Sequence, residues 1–250
     1  MNFTIGADPE FFLKNKAGHQ SAIGLIGGSK LEPKPLEKEG FAVLEDNVAV
    51  EFNIAPAHNH KEFVNNIQYV MQELKKTLPE YSFSEDSAVI FKDEQLQHPQ
   101  ALEFGCEPDF NAWTMEQNPR PKATNQNLRS AGGHIHIGTN LDTVQVIRAM
   151  DLFVGVPSIK LDKHGELRRQ LYGNAGACRF KYYGVEYRTL SNFWIFSKDL
   201  IEWVYNQTKK ALEFVEKGNT LNEKDGVLIQ AAINHSNEEA YGLLVSTYKL

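Results

Sequence analysis

The stretch Gly132-Gly-His-Ile-His-Ile-Gly138 decides how this chain is read. One isoleucine separates its two histidines. On a strand, His134 and His136 therefore point to one face while Ile135 and Ile137 point into apolar packing. Imidazoles on one face are ligands for transition metals, and they join carboxylates around Mg²⁺ or Mn²⁺. The flanking glycines allow a second backbone or a phosphate to come close. Taken alone, the pattern fits a half-exposed strand with histidines on its outer face equally well, so its neighbours must decide.

Towards the C-terminus, the strand Val185-Glu-Tyr-Arg-Thr-Leu190 carries Glu186 and Arg188 on one face, with Val185, Tyr187 and Thr189 opposite. Just ahead of it, Arg168, Arg169, Arg179 and Lys181 lie among Tyr172, Gly173, Gly176 and Gly184, which reads as an anion site. Towards the N-terminus, Phe3 to Leu13 alternates as a strand with Asp8 and Glu10 sharing a face, interrupted at Pro9. Asp46 to Ile54 reads as a further strand with Asn47, Ala49, Glu51 and Asn53 on one side. Four strands thus present acids or imidazoles on one face. Such carboxylates repel one another unless divalent cations neutralise them, and the neighbouring Arg and Lys imply a polyphosphate between metal and cation.

The rest of the chain supplies packing. Asn59-His-Lys-Glu62 fits a capping box opening a helix that Pro79 stops. A second helix spans Leu141 to Val154, capped by Thr139 or Asn140 and ended by Gly155 and Pro157. Ser197 to Val215 is a third, closed by Gly218, and Gly226 to Tyr248 gives one or two more. Gly24 to Gly40 is a Gly/Pro/Lys-rich loop in which Lys30 is a candidate phosphate contact, although Gly27-Gly-Ser-Lys30 lacks P-loop spacing. Phe83 to Phe91 is a short strand and Glu94 to Gln100 a polar loop. Gly105 to Trp113, with Cys106, Glu107 and Asp109, is a turn-rich candidate substrate loop. The expected architecture is one α+β domain over residues 1–250. Its mainly antiparallel curled sheet has helices on the apolar outer face and chemistry on the polar one.

Composition excludes several classes. A formal charge of −6 over 250 residues argues against nucleic acid or an anionic membrane as the main partner. Two cysteines, neither in a C-x-x-C pair, fit a reducing cytosol and give no zinc or disulfide framework. With no apolar run of transmembrane length and no signal-peptide pattern, the expectation is a soluble cytoplasmic protein.

These residues resemble a known family. Gly6-Ala-Asp-Pro-Glu-Phe-Phe12, Gly132-Gly-His-Ile-His136 and Glu186-Tyr-Arg188 look like the metal strands of glutamine synthetase-type enzymes, in the same order. With Asp46-Asn-Val-Ala-Val-Glu-Phe-Asn53 and Gly184-Val-Glu-Tyr-Arg-Thr-Leu-Ser-Asn192, the chain is most similar to the compact phage-type amidoligases of the glutamine synthetase and glutamate–cysteine ligase superfamily.

That resemblance implies a half-barrel sheet and ATP-dependent joining of a carboxylate to an amine through an acyl phosphate. It further implies Mg²⁺, or Mn²⁺, held by Asp8, Glu10, Glu51, His134 and Glu186, with His136, Arg179, Lys181 and Arg188 contacting the nucleotide phosphates. Arg188, Arg179 and Glu51 would be catalytic. The other acid of the second strand is open between Glu45 and Asp46, and the substrates do not carry over. Two rival readings are a metal-dependent hydrolase using the His-x-His pair and an inactive binding protein on the same fold.

Overall fold

The computed structural model describes residues 2–102, 109–119 and 125–250, so Cys106 and Glu107 of the expected substrate loop lie outside it. In chain order the strands are β1 (Thr4–Ala7), β2 (Glu10–Asn15), β3 (Gly18–Gln20), β4 (Lys34–Pro35), β5 (Ala42–Asp46), β6 (Ala49–Asn53) and β7 (Ser82–Ser84). They continue with β8 (Ala88–Ile90), β9 (Phe110–Asn111), β10 (Glu116–Gln117), β11 (Leu128–Ser130), β12 (Ile135–Gly138), β13 (Ala177–Lys181) and β14 (Gly184–Tyr187). The helices are α1 (His60–Thr77), α2 (Thr143–Met150), α3 (Val156–Leu161), α4 (Glu166–Leu171), α5 (Lys198–Glu216), α6 (Glu223–His235) and α7 (Glu238–Tyr248).

One sheet runs β1-β12-β14-β13-β9-β10, a second runs β3-β2-β6-β5-β4 with β7 also on β2, and β11 pairs β8. Every one of these pairings is antiparallel. This is the expected mixture of helices and antiparallel sheet, divided among several sheets where one curled sheet was expected. Among the described residues no sheet closes into a barrel.

The division begins at Pro9. Phe3 to Leu13 is not one strand: β1 pairs β12 in the first sheet, and β2 pairs β6 in the second. Proline has no N–H for a ladder, so the regular pairing is interrupted there, although Phe52 N–H still donates to Pro9 O and Ile54 N–H to Ala7 O, each at 3.2 Å. Asp8 accordingly lies in the link after β1, whereas Glu10 opens β2. The Asp46 to Ile54 reading is corrected in the same way. Asp46 ends β5, and Asn47-Val48 is a two-residue hairpin turn into β6 with Asn47 at φ 55°. The Asn47 side chain leaves the polar face and donates to the carbonyls of Gln100 and Ala101, at 3.2 and 2.9 Å.

Among the helices, Asn59 caps α1 as expected, accepting from Glu62 N at 3.0 Å, while Glu62 reaches back to His58 N. The second helix departs from expectation at both ends. Asp142 caps α2, and Gly155 and Pro157 do not end the run, because a π-turn at Asp151–Gly155 leads directly into α3. In that wider turn Val156 N–H reaches Asp151 O, so Pro157 falls in the first turn of a fresh helical run, where its missing N–H costs little. Phe83 to Phe91 resolves into β7 and β8, and the polar loop after it contains 3₁₀ turns at Asp93–Leu96 and Pro99–Leu102. No helix is long and apolar enough to cross a membrane among the described residues.

A single apolar cluster joins the inward faces of both larger sheets to α1, α2 and α5. Ile135 and Ile137 of β12, Val185 and Tyr187 of β14, and Val50 and Phe52 of β6 are fully buried in it. Ile135→Ala removes buried methyl and methylene groups from this cluster, so chemical denaturation should show a loss of about 2–5 kcal/mol. Activity per folded molecule should be unchanged, because Ile135 faces away from His134 and His136.

Candidate active site

The registers align chemistry in rows. Across the first sheet Gly6 opposes His136, His136 opposes Glu186, and Glu186 opposes Arg179. Across the second, Glu10 lies directly opposite Glu51. Like charges so placed destabilise a ladder unless something neutralises them. The two rows meet where Asp8 and Pro9 join β1 to β2.

Two groups of ligand atoms result. One atom each from Asp8, His136 and Glu186 lie within 4.8 Å of one another, and the same holds for Glu10, Asp46 and Glu51. Asp46 therefore joins the acids, whereas Glu45, one residue earlier and on the other face of β5, accepts N–H bonds from Gly24, Ile26 and Gly27 at 2.9, 3.1 and 2.7 Å. His134 lies beside the first group. Its Nδ1 is 3.5 Å from Asp8 and 3.7 Å from Glu186, and Arg188 Nη1 donates to it at 3.1 Å.

Glycine explains how the second sheet reaches this face. Gly132 N–H donates to Glu10 Oε2 at 2.9 Å, and Glu10 N–H donates to Gly132 O at 2.8 Å. A Cβ on Gly132 would sit 2.3 Å from His134 Nε2, and one on Gly133 would sit 2.2 Å from Ser191 O. The close approach that the two glycines permit is thus to neighbouring side chains and backbone.

The electrostatics of the two groups differ. Burial opposes ionisation of Asp8, but the neighbouring imidazoles, His136 foremost and then His134, outweigh it and hold the carboxyl well below its ordinary range. Conversely, burial works against the His136 imidazolium, and Asp8 at 3.1 Å outweighs that and raises its pKa. Glu186 is fully buried. Burial and Asp8 push its pKa up, and His134 and Arg188 bring it below the ordinary value. Lys181 Nζ lies 3.0 Å from Glu186, Arg179 Nη1 3.8 Å, and the Arg188 guanidinium touches it directly. In the second group, burial and then mutual repulsion raise both Glu10 and Glu51; His134 and Arg168 offset this at Glu10, and Lys30 pairs Asp46 at 2.7 Å.

Donor chemistry suits a divalent cation in both groups. Asp8 Oδ1, His136 Nε2 and Glu186 Oε2 are buried without an aligned hydrogen bond, held by charge contacts alone. An oxygen-rich set completed by one imidazole matches the preference of Mg²⁺ or Mn²⁺. Tyr183 Oη contacts His136 Nδ1, turning Nε2 towards Asp8. Such support of a ligand's far nitrogen fixes ring orientation.

The basic cluster splits. Arg179 and Lys181 flank Glu186, but Arg168 and Arg169 on α4 do not join them as an anion site. Arg168 is buried, donating to Thr189 O and Arg188 O at 2.9 and 3.2 Å, and Arg169 pairs Asp162 at 3.4 Å. Tyr183 was not foreseen, and Asp109 was placed only in a substrate loop. Asp109 pairs Arg188 Nε at 2.7 Å and lies 3.7 Å from Arg179 Nε. The two acids of the 105–113 segment, Glu107 and Asp109, were its only signal.

Residues 123–240 match a family model described as phage phiEco32-like COOH.NH2 ligase-type 2. Over that stretch the chain is similar to the phage-type amidoligases. The family is one of carboxylate–amine ligases, enzymes that form C–N bonds. The matched stretch holds His134, His136, Arg179, Lys181, Glu186 and Arg188, while Asp8, Glu10, Asp46 and Glu51 precede it. No curated protein matches the chain.

Proposed function

We propose that the chain is an ATP-dependent carboxylate–amine ligase that activates its acid substrate as an acyl phosphate. One observation carries this reading. Two carboxylate groups suited to divalent cations lie on strands joined by Asp8 and Pro9, and Arg179, Lys181 and Arg188 crowd the edge of the first group. The whole of residues 1–250 would form one catalytic domain, the two larger sheets acting as the walls of a half-barrel. It would work in the cytoplasm on a small-molecule or peptide carboxylate and an amine.

A carboxylate is a poor acyl donor because oxide is a poor leaving group. Transfer of the γ-phosphoryl group to its oxygen releases ADP, and attack of the amine on the acyl carbon then expels phosphate. Mg²⁺ held by Asp8, Glu186 and a histidine, and by Glu10, Asp46 and Glu51, would neutralise phosphate oxygens. The chain's own cations do the rest. Arg188, fixed by Asp109 and Glu186, and Arg179 beside it present guanidiniums to the charge that spreads during transfer, each such contact being worth about 10²–10³ in rate.

The test is nucleotide turnover with a pool of amino acids and amines, products being identified by mass spectrometry. ADP and phosphate are expected in equal amounts with an amide. Accumulation of AMP and pyrophosphate would overturn the acyl-phosphate route even if an amide formed.

A further inference from the structure

Lys30 reaches the second carboxylate group from a loop anchored to the sheet on both sides. Glu45 binds the N–H groups of Gly24, Ile26 and Gly27, Lys34 Nζ donates to Ile26 O at 2.9 Å, and Gly28 O accepts from Glu45 N at 3.3 Å. At Gly28, with φ at 84°, a Cβ would lie 2.6 Å from Val43 O, so the loop base is packed directly on β5. Beyond this base a turn closed by Ser29 N to Glu32 O, at 3.0 Å, leaves Leu31 94% exposed and sends Lys30 inward to Asp46.

The charge count at that point is incomplete. Glu10, Asp46 and Glu51 converge within 4.8 Å, and Lys30 brings one positive charge to one of them, at 2.7 Å from Asp46. A divalent cation among the same three oxygens would meet all the acids at once and would repel an ammonium at Asp46. The two cannot share the site at full strength. Resting on the proposed function, we infer that Lys30 is an internal counter-cation of the Glu10, Asp46 and Glu51 group, which a divalent cation displaces on binding. Displacement frees the Ser29–Glu32 tip while the Glu45 clamp keeps its base in position.

The exchange can be read without turnover, using Mn²⁺ alone as the probe. A half-exposed pair of this kind contributes about 0.2–1 kcal/mol, so Lys30→Gln should tighten Mn²⁺ binding at this group roughly 1.4- to fivefold. Lys34→Gln, which loses a bond to a carbonyl of the loop base, should leave the affinity unchanged. In the unmodified protein, trypsin should cut the Lys30–Leu31 bond faster with millimolar Mn²⁺ than without it, measured against cleavage after the exposed Lys217. Unchanged or weaker Mn²⁺ binding by Lys30→Gln, or protection of Lys30–Leu31 by Mn²⁺, would overturn the inference and leave the ligase reading standing. Failure of the unmodified protein to bind Mn²⁺ at all would overturn both.

Discussion

On the proposed mechanism, Glu186→Gln and Glu51→Gln should both lower ligation per folded molecule by about 10²–10³ or more, because each would remove negative charge that holds the divalent cations. Their effects on the metal-free protein should have opposite signs. Glu186 is fully buried among Lys181, Arg179 and Arg188, so its neutralisation strands cations that it now pairs. Breaking a buried pair from one side costs about 3–5 kcal/mol. Its pKa lies below the ordinary value, so it contributes stability above the unfolded value, lost as pH falls through the folded one.

Glu51 is the reverse case. Burial, then Glu10, Asp8 and Asp46, raise its pKa, so its contribution is present below the unfolded value and is lost as pH rises through the folded one. At pH 8 Glu51→Gln should therefore raise the melting temperature of metal-free protein, and at pH 4 the gain should vanish. Thermal melts in chelator, paired with turnover normalised to the folded fraction, measure both effects. Retained turnover in either variant would remove that acid from the site, and a lower melting temperature for Glu51→Gln at pH 8 would show the second group to be a stabilising network.

The sequence pattern reports faces well and chain reversals poorly. Ile135 and Ile137 against His134 and His136, and Val185 and Tyr187 against Glu186 and Arg188, alternate without interruption, and their burial follows from period two alone. Asp8 and Glu10 have the same spacing, yet they enter different ligand groups because Pro9 carries the chain from one sheet to the other. Glu45 and Asp46 could be told apart only with the hairpin in hand. The turn signal was present as an Asn at the left-handed position between two alternating runs, but it was read as part of a strand. Arg168 illustrates a different limit. A basic cluster in sequence does not say which cations face solvent or ligand, and this one is spent on the carbonyls of Thr189 and Arg188, burial pulling its pKa down to about 10.

Asp151 was not visible as special in the sequence, and it carries the other large expected effect. The π-turn brings it behind the site strand, where it is fully buried and accepts from Trp113 Nε1 at 2.7 Å, Tyr187 Oη at 2.9 Å and Thr189 Oγ1 at 3.3 Å. These donors come from the segment that holds Asp109 and from both neighbours of Arg188, so one carboxylate braces the Asp109–Arg188 pair from the far side of the sheet. Burial dominates over these donors and the Gly176 backbone N–H, and pushes its pKa from 3.8 to about 7. A folded value above the unfolded one means that the stabilising contribution is complete below about pH 4 and is lost as pH rises through 7. Roughly three pH units at 1.36 kcal/mol each make the loss about 4 kcal/mol. Asp151→Asn cannot titrate. Urea denaturation in chelator should find it less stable than the unmodified protein at pH 5, with the gap closing or reversing by pH 8. Parallel stability curves for the two proteins across that range would show that Asp151 stays ionised in the folded state and that the three donors outweigh its burial.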